Sequence, residues 1–241
     1  MKRAIVIGAT SGIGKELAIL LSNNGYKVAI TGRRENLLSE ISSKSNGSII
    51  SEVMDLTNID STSIIIDKII SNIGGLDLVV ISSGFGDLNR DLEFDIEKKT
   101  IDLNVVGFTA VVDHLYNYFS NQSEGHIVAI TSVMGLRGSC AAPAYSATKA
   151  YQINYLEGLK QRAFVQKNNV VITDIRPGSV NTDMMKGEGH FWIATPQKAA
   201  AQILHAIKNH TSTKYVTKRW RIIGWLLKVL PISLYKRMGK L

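Results

Sequence analysis

Short, β-branched apolar runs alternate with helix-length stretches along almost the whole chain, and this order narrows the choice of fold more than any other feature. The runs are Ala4–Ile7, Val28–Thr31, Ile49–Met54, Leu78–Ile81, His126–Thr131 and Val170–Ile175, with Lys214–Thr217 as a last strand. Their hydrophobicity is nearly continuous, as in strands covered on both faces. Between them lie helical patterns over Gly12–Asn23, Glu35–Ser43, Ser61–Ile73, Ile96–Phe119 and Ala144–Gln166. Asn23-Asn24-Gly25 and Gly74-Gly75 are helix stops. The alternation predicts an α/β fold with a doubly wound, mostly parallel central sheet and helices on both faces. At 241 residues the chain holds one such domain, over residues 1–217, and a C-terminal extension, 218–241, with no room for a separate substrate domain. Ligands of such sheets bind beyond the strands' carboxyl ends, so Gly8, Gly84, Ser132 and Pro177, each just past a run, are placed to meet.

The first turn carries Gly8-Ala9-Thr10-Ser11-Gly12-Ile13-Gly14, between a strand and a helix. That is the context of a Rossmann-type dinucleotide fingerprint: glycines admit a pyrophosphate to the backbone, and the helix N-terminus offers free N–H groups. Three residues separate the first two glycines, wider than in G-x-G-x-x-G, so the motif alone also reads as a tight βα loop. Far downstream stand Tyr145 and Lys149, four apart and therefore on one helix face. A free phenol loses its proton near pH ~10, and a neighbouring ammonium is expected to pull that value down toward the working range.

Together, Gly8-x-x-x-Gly12-x-Gly14 and Tyr145-x-x-x-Lys149 resemble the short-chain dehydrogenase/reductase family, with ordered motifs from about residue 3 to residue 217. The resemblance implies catalytic roles for Asn104, Ser132, Tyr145 and Lys149. Tyr145 would protonate a carbonyl oxygen as hydride arrives, and Lys149 would tune the phenol and bind the nicotinamide ribose. Ser132 would hold the substrate oxygen, and Asn104 a water linking Lys149 to solvent. It also implies cofactor contacts at Gly8, Thr10, Ser11, Gly12, Ile13, Gly14, Asp55, Leu56, Ser83, Gly84, Asn104, Tyr145, Lys149, Pro177, Gly178, Val180 and Thr182. Two departures stand out: Ser82-Ser83-Gly84 replaces the family's Asn-Asn-Ala-Gly, and Ile7 replaces the threonine before the first glycine. Members commonly form homodimers or homotetramers through the helices that here are 101–119 and 144–166.

Where NAD sites hold an acid after the second strand, this chain has Gly32-Arg33-Arg34. A guanidinium matches a phosphate in shape and charge, so Arg33 and Arg34, with Lys15 nearby, predict NADP(H); the plainer reading is two solvated loop charges. Asp55 falls where an adenine contact is expected, and equally suits a turn or helix cap.

The net charge of +8 is unevenly placed: from Gly189 onward there are ten Lys/Arg and no acid, leaving the body at −2. No nucleic-acid motif accompanies the cations. Residues 218–231, Lys-Arg-Trp-Arg-Ile-Ile-Gly-Trp-Leu-Leu-Lys-Val-Leu-Pro, are apolar, aromatic and basic, and too short and charged to span a bilayer. They read as a helix lying on an anionic membrane, closing over the pocket, or crossing a dimer interface. The segment 181–193, with Met184, Met185, Phe191 and Trp192 and the glycines Gly187 and Gly189, corresponds to the family's substrate lid and suggests an apolar substrate. One cysteine, Cys140, excludes an internal disulfide, and Met1-Lys2-Arg3 leads straight into the first strand, so the chain reads as cytoplasmic. The five histidines form no metal pattern, and His114, His205 and His210 read as packing or surface residues in helical stretches. The reading is an NADP-dependent oxidoreductase of an apolar carbonyl or secondary alcohol; the alternatives are a nucleotide sensor without turnover, or an epimerase or dehydratase on the same fold.

Overall fold

The computed structural model describes residues 1–185 and 191–238. Its strands are β1 (Arg3–Ile7), β2 (Lys27–Gly32), β3 (Ile49–Val53), β4 (Leu78–Ile81), β5 (Glu124–Ile130), β6 (Asn169–Pro177) and β7 (Thr213–Val216). All seven are parallel, in the order β3-β2-β1-β4-β5-β6-β7. The doubly wound expectation is borne out, and the sheet is wholly parallel. The order reverses between β1 and β4, where Val6 pairs with Ile30 on one side and Val80 on the other. That crevice is where the fold binds ligands.

The helices are α1 (Gly12–Asn23), α2 (Glu35–Ser43), α3 (Ile59–Ile73), α4 (Phe94–Ile101), α5 (Phe108–Asn121), α6 (Pro143–Gln166), α7 (Pro196–Lys208), α8 (Trp220–Val229) and α9 (Ile232–Met238). The strands explain the two cores. Successive side chains leave opposite faces, so Ala4 and Val6 join α1, α2 and α7 in one layer, while Ile5 and Ile7 join α3, α5 and α6 in the other. Helix α3 starts two residues ahead of the expected boundary because Asn58 caps it, accepting from Ser61 N at 3.4 Å, and Gly74 stops it in the left-handed region at φ +82°.

The predicted single helix over 96–119 is interrupted: residues Asp102–Gly107 form a π-helical turn between α4 and α5. Asn104, Val105, Val106 and Gly107 are weak helix formers, and a tertiary contact adds to the break. At Gly107 the helix comes so close to Leu56 that a Cβ would stand 2.4 Å from its carbonyl oxygen.

His210 sits in the turn after α7 rather than in a helix, and stacks on the buried His126 at 5.3 Å. Burial, with smaller contributions from His210 and Lys2, pushes His126 down to about 3, and its Nε2 pairs with Thr173 Oγ1 at 2.8 Å. Below the ordinary histidine value near pH ~6.5 the unfolded chain takes up a proton that the native chain refuses, so native stability falls as pH drops from there toward about 3. We expect a loss of about 1.4 kcal/mol per pH unit from this residue. Urea midpoints at pH 7.5 and pH 5 should separate for the native chain by more than for His126→Gln; equal separations would remove His126 from the acid response.

Candidate active site

The floor of the site is the β1–β4 switch. Gly8, at φ +84°, ends β1, and its N–H and that of Ala9 donate to Thr31 O at 2.9 and 3.0 Å. A Cβ on Gly8 would stand 2.5 Å from Ser83 N, so the two strand ends touch through backbone alone. Helix α1 then begins at Gly12 without a side-chain cap from Ser11 and without an acid in its first turn. Its N-terminal N–H groups and positive dipole end are left for an anion. The hydroxyls that border them are held from above: Arg34 Nη2 donates to Thr10 Oγ1 at 2.6 Å and to Ser11 Oγ at 2.8 Å. Arg33 and Arg34 are both exposed, whereas Lys15 lines a hollow between α1 and α2 together with Glu40. Ile13 packs on the core, and Thr182 meets the loop, its Cγ2 3.0 Å from where a Gly12 Cβ would be. Asp55 accepts from Thr57 N at 2.9 Å and from its hydroxyl at 2.8 Å, the turn role foreseen as its alternative, and Leu56 beside it is buried.

Opposite this floor, α6 and β5 bring the polar residues together. Ser132 follows β5, its Oγ accepts from Met134 N at 3.1 Å, and it stands near enough to Tyr145 to pull that phenol's pKa down. The Tyr145 hydroxyl also approaches Met184 Sδ at 3.9 Å. Lys149 is only 3% exposed; its Nζ donates to Ile130 O at 3.1 Å and to Gln152 Oε1 at 2.9 Å. Asn104 grips the β4 loop by its side chain, accepting from Phe85 N at 2.9 Å and donating to Phe85 O at 2.7 Å and Thr148 Oγ1 at 3.0 Å. Gly84 faces the whole group: a Cβ there would stand 3.4 Å from Lys149 Nζ and 3.6 Å from Asn104 Oδ1.

One expectation is corrected. The ammonium does not lower the phenol's pKa here; burial pushes Tyr145 up, and Ser132 pulls back against it. Lys149 Nζ lies 5.9 Å from the ring centroid and is turned to Ile130 and Gln152. Burial also pushes the lysine down to about 8, with Asp174 opposing.

The rim comes from the chain's later parts. Pro177 closes β6, Gly178 N donates to Val216 O at 2.7 Å, and Val180 bridges Ala194. Trp220 of α8 lies so close over Gly178 that a Cβ there would meet the indole at 1.9 Å. Its ring stacks on Phe191 at 5.0 Å and meets Trp192 edge-on at 6.0 Å, joining the lid to the extension. Gly187 and Gly189 of that lid, and residues 239–241, lie outside the described residues. Sequence reasoning missed three members. Gly86 abuts the Tyr145 ring, where a Cβ would be 2.2 Å away; Gln152 holds Lys149; Trp220 covers Gly178. Gln152 alone had a signal, a polar residue one turn from Lys149 on the buried side of α6.

A parallel sheet whose switch-point glycines face a serine, a tyrosine and a lysine is the framework of an oxidoreductase. The chain belongs to the short-chain dehydrogenase family, whose model matches residues 2–191. An uncharacterised oxidoreductase of Staphylococcus saprophyticus is 30% identical over 230 residues, covering 90% of this chain and 97% of its own. One of Staphylococcus epidermidis is 31% identical over 227 residues, covering 90% and 96%. Among solved structures, a short chain dehydrogenase from Bacillus anthracis superposes with TM-score 0.80 at 19% identity, covering 89% of this chain and 94% of its own. A variant actinorhodin polyketide ketoreductase, solved with NADPH, gives 0.78 at 20% identity, covering 89% and 95%. At those identities the superpositions speak for the fold. The family binds a nicotinamide cofactor, and the residues here fit one: an uncapped helix N-terminus, glycines where the floor must be bare, and a lysine beside Gly84.

Proposed function

We propose that the chain is an NADP(H)-dependent oxidoreductase that interconverts an apolar, lipid-like carbonyl compound and its secondary alcohol. The observation that carries this reading is the gathering of Ser132, Tyr145 and a buried Lys149 beside the bare backbone of Gly84. Bound nicotinamide supplies the hydride. Ser132 orients the substrate oxygen, Tyr145 O–H gives it the proton, and Lys149 holds the cofactor's ribose and keeps positive charge near the phenol. Asn104 acts at one remove, fixing residue 85 and hence the cleft wall at Gly84. A non-catalytic nucleotide sensor would bind NADPH without oxidising it in the presence of any carbonyl. An epimerase or dehydratase would turn over with no net change in cofactor absorbance. A panel of medium- and long-chain ketones and alcohols, followed at the nicotinamide absorbance, separates the three.

The preference for NADP(H) is supported by exposed Arg33 and Arg34 directly after β2, at the place where NAD sites hold an acid. Arg34 reaches the glycine loop's two hydroxyls, with Asp183 4.0 Å from its Nη1, and its guanidinium suits a phosphate bound beside that loop. A charge-assisted contact of about 1.5–3 kcal/mol gives NADPH a ~10- to 100-fold advantage in kcat/KM over NADH. Arg34→Asp should remove most of it, and equal or better kcat/KM with NADH for the native chain would refute the assignment.

An apolar substrate is supported by the exposed side chains at the rim, Met134, Met184, Phe191, Trp192 and Ile193. The extension, 218–241, fits a membrane-surface role. Its inner face is seated on the body: Gly224 abuts Leu136 and Tyr215, and Tyr235 O–H donates to Gly138 O at 2.6 Å. Its outer face carries Ile222, Trp225, Leu226 and Val229 at i, i+3, i+4 and i+7, with Ile222 65% and Trp225 62% exposed. Arg221 and Lys228 flank that stripe, and among the described residues no helix is long and apolar enough to cross a membrane. Such a stripe with cations beside it suits an anionic lipid surface, and the cations disfavour pairing with a second copy of itself. The native chain should sediment with phosphatidylglycerol vesicles at low salt and the Trp225→Ser/Arg221→Glu/Lys228→Glu variant should not; a native chain left in the supernatant ends the idea. Homo-oligomer formation, common in the family, is supported by the outward Phe164 and Val165 of α6.

A further inference from the structure

The π-helical turn at Asp102–Gly107 has a chemical consequence. Phe108 N–H, which would close an α-turn on Asn104, donates instead to Leu103 O and Val105 O. The Asn104 carbonyl is thereby left for Gln152, whose Nε2 donates to it at 2.9 Å. The other end of the same amide, Oε1, accepts from Lys149 Nζ at 2.9 Å. Gln152 is 1% exposed and Asn104 is 1% exposed, so the bridge is sealed inside the protein. Its orientation is fixed by chemistry: an ammonium only donates and a carbonyl only accepts, so the amide oxygen must face Lys149 and the amide nitrogen Asn104.

We propose that Gln152 is a positioning residue that holds the Lys149 ammonium in place and in charge, itself anchored on the Asn104 carbonyl. A carboxamide neither gains nor loses a proton near neutrality, so the bridge passes none along. The inference rests on Lys149 belonging to the reacting set. The groups that face Lys149 are Tyr145 on its own helix, Ser132 after β5, and Asp174 on β6, whose carboxylate is engaged by Arg176 Nε at 2.6 Å and Thr131 Oγ1 at 2.6 Å. Asp174 favours the ammonium from a distance and burial disfavours it. Gln152 is the side chain that touches it.

The test substitutes Gln152→Met, which keeps length and loses the acceptor, and Gln152→Glu, which replaces it with a charge. The first readout is the NMR titration of Lys149 in [13Cε]lysine-labelled, ligand-free protein, assigned with Lys149→Arg. Gln152→Met should lower the titration midpoint by about one pH unit and Gln152→Glu should raise it by at least as much. The second readout is the basic limb of the kcat/KM profile for carbonyl reduction, which should move in the same directions. Midpoints unchanged in both variants overturn the inference, whatever happens to turnover, because a merely structural glutamine would lower activity without moving a titration. Shifted midpoints in a protein that oxidises no NADPH with any carbonyl would uphold the bridge and defeat the proposed reaction instead. Should Gln152→Met not fold, Gln152→Glu decides alone, an unmoved midpoint counting against the proposal.

Discussion

Tyr145→Phe is expected to reduce kcat by on the order of 10³-fold or more while leaving NADPH affinity within about a factor of three, since a positioned acid contributes ~10²- to 10⁴-fold. The ring is wedged against Gly86 and stays so without the hydroxyl. What is lost is the O–H beside Ser132, together with a weak contact to Met184. Fold stability should change by no more than about 1 kcal/mol, the ordinary net worth of one hydrogen bond. Binding and turnover should therefore separate cleanly. Steady-state kinetics and a fluorescence titration with NADPH make the check, and a variant keeping a tenth of native kcat would remove Tyr145 from the acid role. Burial holds the native phenol's pKa up, so it stays protonated across the neutral range, the state that proton donation in reduction requires.

Gly8→Ala should do the opposite, damaging binding and fold together. The residue sits at φ +84°, where a side chain costs about 1–3 kcal/mol. The added Cβ would also meet Ser83 N at 2.5 Å and Ser83 Cα at 2.6 Å, and these are backbone atoms that cannot swing aside. Ser83 must move, and Gly84 with it, on the wall that faces Lys149. We expect Tm to fall by roughly 3–10 °C, given about 2–4 °C per kcal/mol for a chain of this size, and NADPH affinity to fall more than ~10-fold. Native Tm and affinity in this variant would show that the β1–β4 contact is not the floor of the cofactor site.

How far the sequence foretold this structure depends on where each feature's cause lies. The strands were legible because Ala4–Ile7 or Leu78–Ile81 are apolar on both faces, a property of the run itself. The glycine turn and the Tyr145–Lys149 pair were legible because spacing on a strand end or a helix is fixed by local geometry. The π-helical turn was not, since the contacts around it, Gly107 against Leu56 and Gln152 on the Asn104 carbonyl, join residues tens of positions apart. The direction of the Tyr145 shift was misjudged for a related reason. Spacing places Lys149 on the same face, but only the fold shows its ammonium turned to Ile130 and Gln152, and desolvation as the larger influence on the phenol. The extension's amphipathic composition was plain, yet the grip of Trp220 on Gly178 and Phe191 required a residue with no local partner to find one across the chain.

The central claim is that this cleft moves a hydride from a nicotinamide to a carbonyl carbon under proton donation by Tyr145. Incubation of the native chain with NADPH deuterated at the transferring C4 position and a panel of medium- to long-chain ketones, read by mass spectrometry, tests it most directly. The expected result is deuterium on the carbinol carbon of at least one product, at a rate Tyr145→Phe lowers by on the order of 10³-fold. Product that forms without the label, or that forms equally fast with phenylalanine at position 145, would contradict it.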